Sequence, residues 1–434
     1  MRRESAVEYT RGALWVLPTV ALGLALIAGS VLSSITIDPA SSLATLVFQG
    51  TADDARSLLI AIASTMVTVI ALVLGLTVVA LQLASTQFSP RLLRNFLRDL
   101  VNQLTLSSFV ATFAYSTAGL YTVGISAGER TTDYPRLAVS GALVLLFVSM
   151  IMLVFFVHHL AHSIQIDQVM QDVEQRTLHV VHESLPPGDP TARRPEIPPA
   201  AIPVLATRSG YVQTFHLEGL VAVAAQHHAS FAVVPMVGEH VIVRTPLAWA
   251  WSTTDATSPL SAQAAQALQV GLDRGVRLGF ERTAEQDVAF GVRQLADIAS
   301  KALSPAVNDP YTAVQAVDHL SVILAALATS PLGGQVLTDG DGTPRVHIPA
   351  RDWAYYIDLG LGQVRRFGHT EPRVVLALLR VARDLGTLCR GATMTSLRQY
   401  VTVLLDDVRK DITQPADRDP LLEQGNRLLA KLAG

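Results

Sequence analysis

The residues best suited to binding chemistry lie close together in the C-terminal half of the chain. They are Asp287, Arg293, Asp297, Asn308 and Asp309. Carboxylate, amide and hydroxyl oxygens that converge on a loop can bind a cation or a small polar ligand. The structural interpretation is favoured, because Arg293 and Asp297 have the spacing of a helical ion pair, and Asn308 and Asp309 precede a proline as at a helix start.

A second group consists of histidines at the end of an apolar run. His158 and His162 are four residues apart, with His159 between them. On a helix, His158 and His162 share a face, so they are weak candidates for a divalent metal site or a pH sensor. The alternative is that they are interfacial residues with one edge in water.

Two uncharged runs each contain a stripe of polar and small residues. The first stripe is Ser64, Thr68, Gly75, Gln82 and Thr86, and the second contains Ser108, Thr112 and Tyr115. Lipid offers no hydrogen-bond partner, so we expect these side chains to turn inward. They either pack helices together or line a pore formed by several subunits.

The absence of several known motifs excludes the kinds of site that depend on them. Cys389 is the only cysteine, so intrachain disulfides and a cysteine-based zinc site are impossible. The sequence has no dinucleotide fingerprint, phosphate-binding loop, nucleophile elbow or zinc-protease helix. We therefore expect no cofactor, and an enzymatic activity would have no recognisable nucleophile or metal set.

Composition favours a membrane protein. The 434 residues are 50% hydrophobic and 16% charged, whereas soluble domains have about 25% charged residues. The net charge of −3 argues against a nucleic-acid partner, for which a strongly basic face is expected.

Four uncharged runs predict four transmembrane helices, at residues 13–37, 57–90, 100–128 and 137–157. Spanning the hydrocarbon core takes about 20 helical residues. A charged residue at the centre of such a helix costs about 2.5–3.5 kcal/mol, so its absence from all four runs is informative. A cleaved signal peptide is the alternative for the first run, which exceeds the usual core of about 7–15 residues.

The arrangement of basic residues predicts the orientation. Arginines are concentrated in the N-terminal tail and in the connection between the second and third runs, at Arg2, Arg3, Arg11, Arg91, Arg94 and Arg98. The positive-inside rule then places both termini in the cytoplasm of a bacterial inner membrane.

The remaining pattern divides the chain into parts. Residues 1–185 form the transmembrane bundle with a cytoplasmic extension of the fourth helix, and residues 186–203 form a proline-rich linker. Alternating strands predict a small β-rich subdomain at 204–250, followed by a mainly helical domain at 251–434. Within the latter, Gln335-Val-Leu-Thr338 and Arg345-Val-His-Ile348 are predicted to be two strands joined by a turn at Asp339-Gly-Asp-Gly342. The predicted fold class is an α-helical membrane protein with a cytoplasmic α+β domain.

Three motifs carry a resemblance to a known family. They are Gln87-Phe-Ser-Pro-Arg-Leu-Leu-Arg-Asn-Phe-Leu-Arg-Asp99, Asp287-Val-Ala-Phe-Gly-Val-Arg-Gln-Leu-Ala-Asp297 and Ala302-Leu-Ser-Pro-Ala-Val-Asn-Asp-Pro-Tyr-Thr-Ala313. Together they resemble a bacterial family of predicted integral membrane proteins with a domain of unknown function. The likeness spans nearly the whole chain and implies an inner-membrane protein with a soluble C-terminal half. It implies no reaction and no catalytic residues.

Two hypotheses about function follow. The first is a homo-oligomeric, ion-conducting protein whose second and third spans enclose the pathway, gated by the cytoplasmic half. The second is a membrane-anchored module whose C-terminal part binds a small ion or molecule and transports nothing. No charged residue lies deep in any span, and a proton-coupled carrier usually needs one, so passive conduction or anchoring is favoured over coupled transport.

Overall fold

The computed structural model describes residues 15–35, 47–87, 99–123, 135–163, 165–183, 195–255 and 257–433. The chain divides into two compact units, Met1–Gln168 and Val169–Gly434. The boundary falls within the helix Ile166–Glu183. Residues 186–194 of the predicted linker lie outside the described residues.

The described part of the N-terminal unit is built from four long helices. They are α1 (Val16–Ser33), α2 (Ala52–Gln87), α3 (Leu100–Thr122) and α4 (Arg136–Ser163). The third helix packs against each of the other three. Leu59, Met66, Phe109 and Phe156 are fully buried at the centre of this bundle.

Four long apolar helices in the N-terminal half agree with the predicted count. By length and hydropathy, Val16–Ser33, Ala52–Gln82 and Arg136–His162 could each cross a membrane. The uncharged α3 is more polar, and its mean hydropathy is below that expected of a membrane-spanning helix. Among the described residues, one further helix is long and apolar enough to cross a membrane, namely Pro310–Thr329 in the C-terminal unit.

The described part of the C-terminal unit contains two small sheets. Their strands are β1 (Ile202–Leu205), β2 (Gly210–Phe215), β3 (Ala229–Val233), β4 (His240–Val241), β5 (Pro246–Ser252), β6 (Val276–Gly279), β7 (Gln335–Thr338) and β8 (Pro344–Ile348). Five of them form a sheet in the order β1-β5-β3-β8-β7, and the other three form a sheet in the order β4-β2-β6. All pairs are antiparallel except β3 with β8.

Helices make up the rest of this unit. They are α5 (Ile166–Glu183), α6 (Leu217–Gln226), α7 (Ala262–Gly275), α8 (Val288–Ala302), α9 (Pro310–Thr329), α10 (Trp353–Ile357), a π-helical turn (Asp358–Gly362), α11 (Gln363–Gly368), α12 (Pro372–Gly386), α13 (Ala392–Asp411) and α14 (Pro415–Ala433). The apolar α9 packs against α8 and α12 and has eight buried residues. Its high hydropathy therefore matches a helix buried within a protein core.

The strands extend well beyond the predicted β-rich segment of 204–250. β6, β7 and β8 come from later in the chain and complete both sheets. The hairpin of Gln335–Thr338 with Pro344–Ile348 confirms the prediction of two strands joined by a turn. The helix α6 lies among the strands of the segment 204–250.

The predicted extension of the fourth span is a separate helix, α5, which contributes to the C-terminal unit from Val169 onward. Thr177 lies on its buried face, directly against Gly291 of α8. His319 of α9 donates a hydrogen bond through Nδ1 to Glu174 Oε2, at 2.7 Å. These contacts fix α5 to the helical core of the C-terminal unit.

Candidate functional site

The first polar stripe lies on the outer surface of the N-terminal unit. Ser64, Thr68, Gly75 and Gln82 of α2 are all exposed. At 100° per residue they fall within a narrow sector opposite the buried face of the helix. A Cβ atom at Gly75 would meet no atom within 4 Å apart from neighbouring residues and the backbone of its own helix turn. The side chain of Thr86 lies outside the described residues.

The outward face of α2 has a regular spacing of small and polar residues. They are Ser64, Thr68, Ala71, Gly75 and Gln82, with the apolar Val78 between the last two, and all six are exposed. Alternating steps of four and three residues give a period of 3.5, the repeat of a left-handed coiled coil. The stripe from Ser64 to Gln82 rises by about 27 Å, nearly the thickness of a bilayer core of about 30 Å.

The second polar stripe lies inside the bundle. Thr112 is fully buried and its hydroxyl is 2.8 Å from the hydroxyl of Ser149 on α4. Ser149 also donates to the carbonyl oxygen of Ser108, at 3.5 Å. The Tyr115 hydroxyl lies against Gly141 of α4, where any larger residue would clash. These residues join α3 to α4, so the two stripes face different surroundings within one chain.

The histidines near the end of α4 do not share one partner. His162 donates through Nδ1 to the carbonyl oxygen of His158, and the two rings are 4.2 Å apart. His159 instead donates to the carboxylate of Asp99, which caps the start of α3. Among the described residues, no group of three or more potential metal ligands is present.

Asp287 is a deeply buried carboxylate of the C-terminal unit. Its side chain is 1% exposed, and Oδ2 accepts hydrogen bonds from Arg282 Nε at 2.9 Å and Nη2 at 2.7 Å. Its Oδ1 accepts a hydrogen bond from the backbone N–H of Phe290, so the Asp287 side chain caps the start of α8. Burial raises the pKa of the Asp287 carboxyl, and the guanidinium groups of Arg282 and Arg351 offset part of that effect.

The segments around this carboxylate are held by further contacts. Gly238 has a positive φ of 84° and leaves no room for a side chain beside Asp287. Arg351 donates to the carbonyl oxygen of Val237 at 2.7 Å and lies over the ring of Tyr355. Arg282 and Arg351 were not singled out from the sequence. The only sequence signal for them was that each precedes an aspartate that begins a helix, Asp287 or Asp352.

The other predicted ligand residues lie away from Asp287. Arg293 and Asp297 are partners on α8, with Nε and Oδ1 3.5 Å apart. Asn308 and Asp309 follow the far end of that helix, which has fifteen residues, or about 22 Å of length. The five predicted residues therefore do not form one site.

Asp309 is the N-cap of α9. Its Oδ1 accepts from the backbone N–H of Thr312 at 3.1 Å, and Oδ2 accepts from the Thr312 hydroxyl at 2.6 Å. Both bonds stabilise the charged form and lower the pKa of Asp309. Asn308 adopts a positive φ of 51° immediately before the cap and is exposed.

The cap predicts a pH-dependent contribution to stability. Because the folded pKa of Asp309 lies below the unfolded value of about 3.9, ionised Asp309 stabilises the fold above that pH. The contribution is lost as the pH falls through the folded pKa. Asp309→Ala should cost about 1 kcal/mol of unfolding free energy near neutral pH. In urea titrations, the difference in unfolding free energy between wild type and Asp309→Asn should shrink below about pH 4. A difference that stays constant with pH would contradict this role.

Comparison with known proteins places these features in a family context. Residues 11–384 match the family model described as predicted membrane protein (DUF2254). The chain is 40% identical over 426 residues to the uncharacterized proteins Mb1321c of Mycobacterium bovis and Rv1290c of Mycobacterium tuberculosis H37Rv. The aligned region covers 97% of this chain and 81% of each relative. No solved structure matches the chain significantly.

Proposed function

We propose that this chain, which belongs to the DUF2254 family of predicted membrane proteins, is a multi-pass protein of a bacterial inner membrane. Its α2 helices associate with those of further copies and surround a pathway through which ions cross the bilayer. The C-terminal unit lies in the cytoplasm and regulates this pathway. The bacterial origin of the similar mycobacterial proteins supports the assigned membrane.

One observation carries this proposal, namely the position of the polar stripe on α2. Ser64, Thr68 and Gln82 are directed away from the core of their own bundle. In a bilayer this surface would otherwise face lipid, where hydroxyl and amide groups have no partners outside the protein. A second copy of the same face supplies partners and removes the stripe from lipid.

The residue types of the stripe also suit close association. Gly75 and Ala71 allow helix axes to approach, as small residues do at membrane helix interfaces. The period of 3.5 residues keeps the same face turned toward a partner along the whole helix. The interior stripe of α3 is already used to join helices within the bundle. The α2 stripe is therefore the surface available for a shared axis.

The chemistry of the stripe favours passive conduction. Between residues 57 and 90 the sequence contains no charged side chain, so α2 offers no carboxylate or amine as a proton relay. Uncharged hydroxyl and amide groups can replace part of the hydration of a passing ion without trapping it.

Conductance of purified protein in planar bilayers tests this function. Thr68→Leu and Gln82→Leu should each reduce the single-channel conductance several-fold, because an alkyl group replaces a polar group on the pathway. Thr65→Leu is the matched control, since Thr65 is also exposed on α2 and bonds its own i−4 carbonyl oxygen. It lies about 90° away from the stripe and should leave conductance unchanged. Bilayers that stay silent across ions and pH would contradict conduction and support the anchored binding module.

A further inference from the structure

A cationic cavity lies in the C-terminal unit between α9, α12 and α14. Its volume is about 370 Å³, within the range of about 300–1,000 Å³ that is usual for small-ligand sites. The start of α9 contributes Tyr311, α12 contributes Arg373, Arg380 and Arg383, and α14 contributes Gln424. Val314, Leu376 and Ala377 supply apolar surface between them.

The charged side chains that line this cavity are all basic, although Asp318 and Asp384, outside the lining, pair with two of them. Three of its nine lining residues are arginines, and none of the described residues that line it is acidic. This contrasts with the chain as a whole, which has a net charge of −3. Such a local excess of positive charge attracts anions even in an acidic protein.

The three arginines occupy one face of α12. Arg373 and Arg380 are seven residues apart, and Arg383 follows within one further turn. Their Cα atoms span about 15 Å along the helix. Long guanidinium side chains on such a face can reach one bound molecule from several directions.

Existing ion pairs leave these arginines available. Arg380 pairs with Asp318 and Arg383 with Asp384, but the side chains in both pairs are 44–61% exposed. Exposed pairs of this kind contribute little to stability, so replacing their carboxylates with phosphate oxygens costs little. Within the part of the chain that the structure describes, Arg373 makes no ion pair.

An aromatic ring lies beside the arginines. Tyr311 is 69% exposed, so its ring is accessible to a bound molecule. Its ring offers a flat surface for stacking, while the neighbouring guanidinium groups offer paired donors for phosphate oxygens.

We propose that this cavity binds a phosphate-bearing ligand, with Arg373 and Arg380 holding phosphate oxygens and Tyr311 contacting an attached ring or carbon group. Arginine suits this role because its planar donors match phosphate oxygens in pairs. The chemistry is shared by soluble phosphates and by phospholipid headgroups. The site is independent of conduction through α2, since none of its residues belongs to the N-terminal unit.

Binding to the full-length protein in detergent tests the proposal. The probes are inorganic pyrophosphate, ADP and dihexanoyl phosphatidylglycerol kept below its micelle-forming concentration, with affinity followed by calorimetry. At least one probe should bind saturably to wild type, and Arg373→Gln and Arg380→Gln should each weaken it about tenfold or more, as expected for lost charge-assisted bonds. Arg398→Gln is the matched control, because Arg398 is an exposed arginine on α13 outside the cavity.

The choice of probes separates the two ligand sources. If ADP or pyrophosphate binds more tightly than the lipid, the natural ligand is a soluble phosphate compound. If the short-chain lipid binds more tightly, the ligand is a phospholipid headgroup. Tyr311→Leu should weaken ADP binding and leave pyrophosphate binding unchanged if the ring is stacked. Thermal unfolding of each variant confirms that the fold is retained. The proposal is overturned if no probe binds, or if Arg398→Gln weakens binding as much as Arg373→Gln does.

Discussion

Asp287→Ala is expected to lower the free energy of unfolding by about 3 kcal/mol, the lower end of the cost of breaking a buried ion pair. The variant leaves the guanidinium of Arg282, which is 23% exposed, without its carboxylate partner. It also removes the side-chain cap of α8. Both losses act on the C-terminal unit, where Asp287 links α8 to the loop before it.

Tryptophan fluorescence during urea unfolding measures this effect, because three of the four tryptophans, Trp249, Trp251 and Trp353, lie in the C-terminal unit. Asp287→Ala combined with Arg282→Met should recover part of the loss, since no uncompensated charge then remains. Asp406→Ala is the control, because its pair with Arg409 is well exposed and should change stability by less than about 1 kcal/mol. Equal effects of the Asp287 and Asp406 variants would contradict the role of the buried pair.

Gly75→Leu is expected to weaken self-association of the protein in lipid about tenfold or more, which corresponds to about 1.4 kcal/mol. In one chain we expect the change to be tolerated, because Gly75 is exposed and a Cβ atom there meets no neighbouring helix within 4 Å. Between two α2 helices, however, a leucine would hold the axes apart at the point of closest approach. The effect should therefore appear only in the assembly.

Energy transfer between donor-labelled and acceptor-labelled copies in vesicles measures the association. Gly75→Ala should give an intermediate loss, because a methyl group separates the helices less than a leucine side chain does. Thr65→Leu, exposed on α2 but away from the stripe, should associate like wild type. If Gly75→Leu associates as strongly as wild type, α2 does not form the interface.

Local sequence signals predicted the features that depend on neighbouring residues. Four uncharged runs indicated the long helices of the N-terminal half, because helix formation by an apolar run depends on the run itself. Asp309 followed by a proline indicated the start of α9, since a cap bonds backbone groups two or three residues away. Asp339-Gly-Asp-Gly342 indicated the turn between Gln335–Thr338 and Pro344–Ile348, since turn formation also depends on a few adjacent residues.

Features that depend on distant residues were not available from the sequence. β6, β7 and β8 join sheets begun before residue 250, and strand pairing has no local signal that names the partner. Asp287 was grouped with Asp309 by distance along the chain, whereas α8 separates them in space. The partner of Asp287 is Arg282, a residue with no distinguishing pattern of its own.

The sequence by itself determined that the first part of the chain forms long apolar helices and that the rest mixes helices with strands. Those properties follow from hydrophobic length and from short-range hydrogen bonding. Only the tertiary structure decided that the stripe of α2 faces outward while the polar residues of α3 are buried against α4. It also decided that three arginines of α12 and Tyr311 line one cavity. A helix has several faces, and only packing against its neighbours selects which of them remains free to bind a partner.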